Sequence, residues 1–164
     1  MTKIGLISDT HGWLDPSCEK HFASCDEIWH AGDLGVSSIA EELKIIKPFK
    51  AVYGNIDGYD VRSEYPEILE WNCEAVKVLM VHIGGYPPKY NPATKKLIRA
   101  SKPQLFISGH SHILKVMYDA EQACLHMNPG AAGKQGWHQM RTIIRFAIDG
   151  KEIKDCEVIE LGKR

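Results

Sequence analysis

The sequence predicts an α/β protein in which two mixed β-sheets pack face to face and are flanked by helices. Three features carry this reading. The first half alternates short apolar runs with segments of helical period, as parallel strands require, because each parallel crossover needs a helix. The second half is a succession of strand-length runs separated by short turns. A chain of 164 residues is most simply one domain, 1–164, long enough to bury a sizeable core.

KIGLIS (3–8) is a continuous apolar run ending at polar residues, the pattern of a central strand buried on both faces. A helix is expected over 16–25, with Asp15 as cap and Pro16 in the first turn. DEIWHAGD (26–33) reads as a second strand ending in a turn. In the helix expected over 36–46, Val36, Ile39, Ala40, Leu43 and Ile46 share one face, and Pro48 ends it. FKAVYGN (49–55) is a third strand. Two adjacent strands are expected within 67–82 around a turn at 72–74, then a helix over 92–100. PQLFISGH, ILKVMYDA, ACLHMN, RTIIRFAI and KDCEVIEL follow as strands. NPGAAGKQG (128–136) is a loop, and no repeat, low-complexity tract or linker interrupts the chain.

Composition removes several classes of function. Lys and Arg number 20 against 21 Asp and Glu, a net charge of −1, so there is no basic footprint for long nucleic acid. Five scattered cysteines, none in a CxxC pair, argue against a disulfide framework or a thiolate zinc site and fit a reducing cytoplasm. No apolar run approaches the roughly twenty residues of a membrane helix, so no membrane partner is expected.

The chemistry lies just past the strands. Asp9 and His11 stand in SDTHG, Asp33 in HAGDLG, Asn55 in YGNID, His82 in MVHIGG, and His110 and His112 in SGHSHI. All are metal-ligand types, and each strand end also carries a glycine, which lets backbone turn sharply and approach closely. Open α/β sheets place their sites at the carboxyl ends of strands. Asp9 and His11 are two apart, as are His110 and His112, so in extended backbone each pair projects to one side as a chelate. Mixed Asp, His and Asn ligands suit manganese, iron or zinc, and without thiolates they turn away from a structural zinc. Seven ligands are too many for one catalytic ion but suit two ions sharing a carboxylate. Such ions, ~3.5–4 Å apart, would clamp a phosphoryl group and hold a bridging hydroxide as nucleophile.

The order D-x-H, GD, GN, H, GHxH resembles the calcineurin-like metallophosphoesterases. The small size, the GNxD stretch and the late NPG resemble their short bacterial and archaeal phosphodiesterase branch, which also includes the retromer scaffold subunit. The resemblance covers residues 3 to about 148 and implies a four-layer α/β/β/α sandwich. It implies that Asp9, His11, Asp33 and His112 hold one metal and that Asp33, Asn55, His82 and His110 hold the other, with Asp33 bridging. Asn55 and His82 would also act catalytically by orienting the phosphate. Two divalent ions are implied, manganese first, with nickel, iron or zinc admissible. The implied substrate is a small phosphodiester, and a homodimer or homotetramer is allowed. The chain departs from the family where Val81 precedes His82 and HIGG replaces HGH, where Ala131 replaces the serine common after NPG, and where Ile56 replaces a histidine.

Singly, each motif has a structural reading: Asp9 as a helix cap, Asp33 and GNIDG as turns. Their joint order is what carries the metal reading. GHSHI fails the G-x-S-x-G nucleophile elbow at Ile113, and GAAGKQG lacks the leading glycine and the Ser or Thr of a phosphate loop. His21, His30, His126 and His138 lack the strand-end context, with His30 and His126 the best candidates to support the ligands, while Trp13 could wall the site. Two functions follow: a metal-dependent phosphodiesterase, or a metal-binding scaffold for other proteins on the same fold with little catalysis. None of the seven ligands is lost, which favours the enzyme.

Overall fold

A computed structural model describes residues 1–164. In chain order it contains β1 (Thr2–Ile7), α1 (Ser17–Phe22), β2 (Glu27–His30), α2 (Ser37–Ile46), β3 (Phe49–Ala51), α3 (Tyr59–Arg62), β4 (Ile68–Cys73) and β5 (Val76–Val81). There follow β6 (Gly85–Tyr86), β7 (Lys89–Tyr90), α4 (Pro92–Ser101), β8 (Leu105–Ile107), β9 (Leu114–Asp119), β10 (Cys124–Pro129), β11 (Met140–Asp149) and β12 (Glu152–Lys163). The first sheet has the order β12-β11-β1-β2-β3 and the second β4-β5-β8-β10-β9, five strands each. Strands β1, β2 and β3 run parallel, as do β5, β8 and β10, and antiparallel strands flank both sets.

Alternation along the strands builds the layers. Ile4, Leu6 and Trp29 of the first sheet, with Val52 just past β3, meet Val78, Met80, Ile107 and Met127 of the second in one buried cluster. Trp29 fills its centre, edge-on to Trp71 at 4.8 Å and to Phe146 at 5.7 Å, while its ring N–H donates to Glu27 at 2.8 Å. The opposite face of the first sheet, with Ile7, Ile28 and Ile143, packs on Phe22 of α1 and on Ile39 and Leu43 of α2. Leu79 and Phe106 of the second sheet pack on Ile98 of α4. The expected order of helix, sheet, sheet and helix is therefore the observed one. Full burial of each such aliphatic side chain contributes roughly 1.5–3 kcal/mol.

The differences from the sequence reading are local. β2, β3 and β8 stop before their expected ends because the residues beyond them turn into the site. Val36 is the extended residue before α2 and is exposed, so it leaves the apolar face that Ile39, Ala40 and Leu43 form. Helix α1 begins at Ser17 with Pro16, not Asp15, at the cap position and no side-chain cap; Asp15 instead accepts the Ser17 backbone N–H at 2.8 Å, and its other oxygen pairs with Arg141 at 2.5 Å. Helix α3, four residues long, and the β6–β7 hairpin, two residues per strand, are too short to show any periodicity. Helix α4 starts where the Asn91 side chain accepts the Thr94 N–H at 2.8 Å. All five cysteines are free, and no helix is long and apolar enough to cross a membrane.

Candidate metal centre

The loops after β1, β2, β3, β5 and β8 converge at one end of the sheet pair and bring all seven residues together. Asp9, His11 and His112 form one group and Asp33, His82 and His110 another, the ligand atoms of each lying within 4.8 Å of one another. Asp33 Oδ2 reaches across, 3.1 Å from His82 Nε2 and 3.6 Å from His11 Nε2. Asp9 Oδ1 is 3.1 Å from His112 Nε2 and 3.7 Å from His11 Nε2. Asn55 Oδ1 stands 3.0 Å from His110 Nδ1, at the edge of the second group.

Hydrogen bonds from neighbouring side chains and backbone aim the ligand atoms of the cluster. Asp9 Oδ2 accepts from Ser8 Oγ at 2.6 Å and from the His110 N–H at 3.1 Å, which leaves Oδ1 facing the imidazoles. Asp33 Oδ1 accepts the Ile56 N–H at 3.0 Å, which leaves Oδ2 inward. His82 Nδ1 donates to the Ala31 carbonyl at 2.7 Å, so Nε2 presents its lone pair. Asp9 Oδ1, His11 Nε2 and His82 Nε2 are buried and have no hydrogen-bond partner. Buried polar atoms are seldom left so, and three of them converging beside two carboxylates fit a divalent cation. Burial pushes the Asp9 carboxyl up, but the imidazoles of His11 and His112 facing Oδ1 outweigh it and hold Asp9 below the usual carboxylate range. Burial likewise opposes the charged forms of Asp33 and His82, yet each stabilises the other, so Asp33 is lowered and His82 raised. His11 is raised by the Asp9 carboxylate 3.7 Å from its Nε2.

Backbone strain concentrates here. Asp9, His11, Asp33, His110 and His112 adopt left-handed conformations, with φ of 54°, 47°, 57°, 69° and 59°. Non-glycine residues rarely adopt this region, and it persists where surrounding contacts over-determine it. The extended chelate expected of each pair is thereby corrected. Asp9 and His11 do converge, but through left-handed turns, whereas His110 and His112 part into different groups. At Gly54 a Cβ would overlap the Asp33 carboxylate, so glycine is required for the asparagine loop to close on the aspartate loop. At Gly32, with φ of 99°, a Cβ would lie 2.6 Å from His82 Nδ1.

Several supporting residues were weakly marked or unmarked in the sequence. His30 is buried: its Nδ1 accepts the Gly32 N–H at 3.1 Å, so its Nε2–H donates to Thr10 Oγ1 at 3.0 Å, and Thr10 in turn donates to the Leu34 carbonyl at 3.1 Å. Burial pushes its pKa down to about 3, so it works as a neutral brace between the first two loops. Asp57 accepts backbone N–H groups from Leu34, Gly35 and Gly54 at 3.3, 2.8 and 2.8 Å, tying the Asp33 and Asn55 loops together. Asn128 of the NPG stretch donates to the Gly109 carbonyl at 3.0 Å and to Ser111 Oγ at 3.1 Å, fixing the GHSH loop. Arg62 of α3 donates to the Asp57, Gly54 and Asn55 carbonyls at 2.5, 3.4 and 3.2 Å. His138, read as unremarkable, donates from Nε2 to the Gly133 carbonyl at 2.8 Å and sets its ring 5.1 Å from that of His112. His126 is corrected in the other direction: it stacks on Phe106 at 5.3 Å and bonds to none of the seven. Trp13 lies between Lys134 and Arg141, 4.1 and 4.8 Å from its ring.

Comparison with known proteins meets this geometry directly. Residues 2–151 match the model of the calcineurin-like phosphoesterase superfamily domain. The chain belongs to that superfamily. Among curated relatives, a probable metallophosphoesterase of Methanocaldococcus jannaschii is 31% identical over 154 residues, covering 90% of this chain and 77% of the relative. The calcineurin-like fold also recurs in solved structures. Vps29 of Entamoeba histolytica superposes with a TM-score of 0.76 at 15% identity, over 96% of this chain and 98% of that one. A novel archaeal phosphodiesterase gives 0.71 at 22%, over 96% and 99%. A predicted phosphoesterase of Streptococcus pneumoniae gives 0.71 at 20%, over 98% and 90%. Another Vps29 structure from Entamoeba histolytica, described as complexed with zinc, gives 0.74 at 14%, over 98% and 99%.

As a superfamily member with two candidate metal groups, the chain is a phosphoesterase, a hydrolase that uses divalent metal. The neutral oxygen of Asn55 is exposed, so Asn55→Asp adds a charge without disturbing the core. That variant is expected to keep its thermal unfolding midpoint while metal selectivity or phosphate affinity shifts by about 10-fold or more. Wild-type kinetics and selectivity would remove Asn55 from the site.

Proposed function

We propose that this protein is a phosphodiesterase acting on small phosphodiesters through a dinuclear centre, with Asp9, His11, Asp33 and His112 around one metal and Asp33, Asn55, His82 and His110 around the other. The position of Asp33 Oδ2, within 3.6 Å of an imidazole nitrogen of each group, carries this reading. When bound, two divalent ions supply Lewis-acid polarisation of the phosphoryl group and activation of water. The protein supplies the rest. Ala31 orients His82, the Ile56 N–H and the Asp57 network hold Asp33 and the Asn55 loop, and Asn55 with His82 would orient the phosphate. Manganese is the proposed metal, with nickel, iron or zinc as alternatives, because oxygen and imidazole ligands without thiolate suit these borderline ions.

Hydrolysis of an activated aryl phosphodiester with added manganese tests the proposal, and turnover no greater than that of the free ion would favour the scaffold reading. The same assay has a pH signature. His11 and His82 are raised, so in the metal-free chain their charged forms contribute stability below the ordinary imidazole range, lost as pH rises through the raised values. Metal must displace those protons, so activity should fall from above the ordinary imidazole pKa of about 6.5 downward and be greatest on the alkaline side. A maximum near pH ~5 that persists with excess metal would contradict ligation by these imidazoles.

A further inference from the structure

Beside the Asn55 and His82 edge of the centre opens a cavity of about 550 Å³, within the size range of small-molecule sites. Its neutral polar side chains are bonded within the protein, while Arg62 and Glu67 stand exposed in the wall. Asn91 caps α4 and donates to the Ile83 carbonyl at 3.1 Å, and Thr94 Oγ1 donates to that carbonyl at 3.4 Å. Tyr53 Oη donates to Glu67 at 3.2 Å, and Arg62 lies over the Tyr53 ring at 4.6 Å while bonding the loop carbonyls. Between those groups the wall is apolar: Ile68 and Ile83, each 47% exposed, with Val81 and Leu97 behind them. The same feature recurs along the lip of the centre. Ile56, directly after Asn55, is 46% exposed, and Ile113, directly after His112, is 51% exposed. Single exposed isoleucines are ordinary, but three placed immediately after ligands of one polar centre form an apolar rim.

We propose that this cavity receives one ester substituent of the substrate and that the substituent is bulky, uncharged and apolar. A nucleoside would bring hydroxyl and base groups against Ile68, Ile83, Val81 and Leu97, which offer no side-chain donor or acceptor, and would leave some of them unpaired. The inference rests on the phosphodiesterase reading and narrows it.

A series of diesters sharing 4-nitrophenolate as leaving group tests it. Water adds to phosphorus, the bond to nitrophenolate breaks with the electron pair leaving on that oxygen, and the second substituent stays on the phosphate. With methyl, phenyl, hexyl, 2-aminoethyl or thymidine as that substituent, kcat/KM should rise about 10-fold or more from methyl to phenyl and hexyl. The aminoethyl and thymidine esters should not exceed methyl. In Ile83→Glu and Ile68→Glu, both at exposed positions, the phenyl-to-methyl ratio should fall to near one. Independently of turnover, phenylphosphonate should shift the Ile83 and Ile68 methyl resonances of the zinc-loaded protein, and methylphosphonate should not. Equal rates across the series, or preference for the thymidine ester, would overturn the inference and leave the phosphodiesterase reading standing. Absence of all turnover would instead defeat that reading, and the phosphonate spectra would then decide alone whether the cavity takes an apolar group.

Discussion

Replacing Asp33 by asparagine is expected to lower bound metal and turnover together, the latter by at least about 100-fold, the upper range seen when even an indirect support of a metal ligand is lost. Asp33 is 2% exposed, and its two oxygens have separate tasks: Oδ1 accepts the Ile56 N–H, and Oδ2 faces His11 and His82. An amide can keep the first contact and so preserve the loop, but it removes the charge shared between the two groups. His82 supplies an internal check. Asp33 is the strongest of the groups that raise it, so in the metal-free variant its titration should move downward. Elemental analysis beside steady-state rates measures the main effect. Two metals per chain at full rate would exclude a bridging role for Asp33.

The second large effect concerns the leaving group. The resemblance places a histidine after the GN asparagine in many relatives, and a general acid of that kind contributes about 10²- to 10⁴-fold. Here Ile56 occupies the position, and its side chain is half exposed rather than packed beneath the loop. Asp57, the other nearby candidate, accepts three backbone N–H groups and has no free role as a donor. The departing oxygen should therefore leave largely unprotonated, so rates should depend steeply on the pKa of the leaving phenol, and alkyl leaving groups should be turned over poorly. A flat dependence, with chemistry shown to be rate-limiting, would mean that another group donates the proton. His138, whose Nδ1 is buried without a partner beside His112, is then the first residue to replace.

Much of this site was legible in the sequence because ligand identity is a local chemical fact. Aspartate, histidine and asparagine just past apolar runs are visible wherever the strands end, and a continuous run such as KIGLIS follows from burial of a central strand on both faces. The order D-x-H, GD, GN, H, GHxH names all seven residues that the fold brings together. The apolar faces of Ile39 and Leu43 on α2, and of the strands that sandwich Trp29, were readable for the same reason: each depends on neighbours a few positions away.

The resemblance already divided those residues between two metals; only the tertiary structure decided how the backbone achieves the division. His110 and His112, two apart in sequence, join different groups because left-handed backbone at both turns them apart, and that strain is held by contacts across the whole chain. The His110 N–H meets Asp9 Oδ2 across 101 residues, and His82 Nδ1 meets the Ala31 carbonyl across 51. Arg62 on α3 and the rim isoleucines likewise acquire their roles through loops that meet only after the two sheets pack. Local pattern determines which atoms can bind a metal, because that depends on side-chain chemistry and strand period. Where those atoms point is set by hydrogen bonds between distant segments, and these exist only in the folded chain.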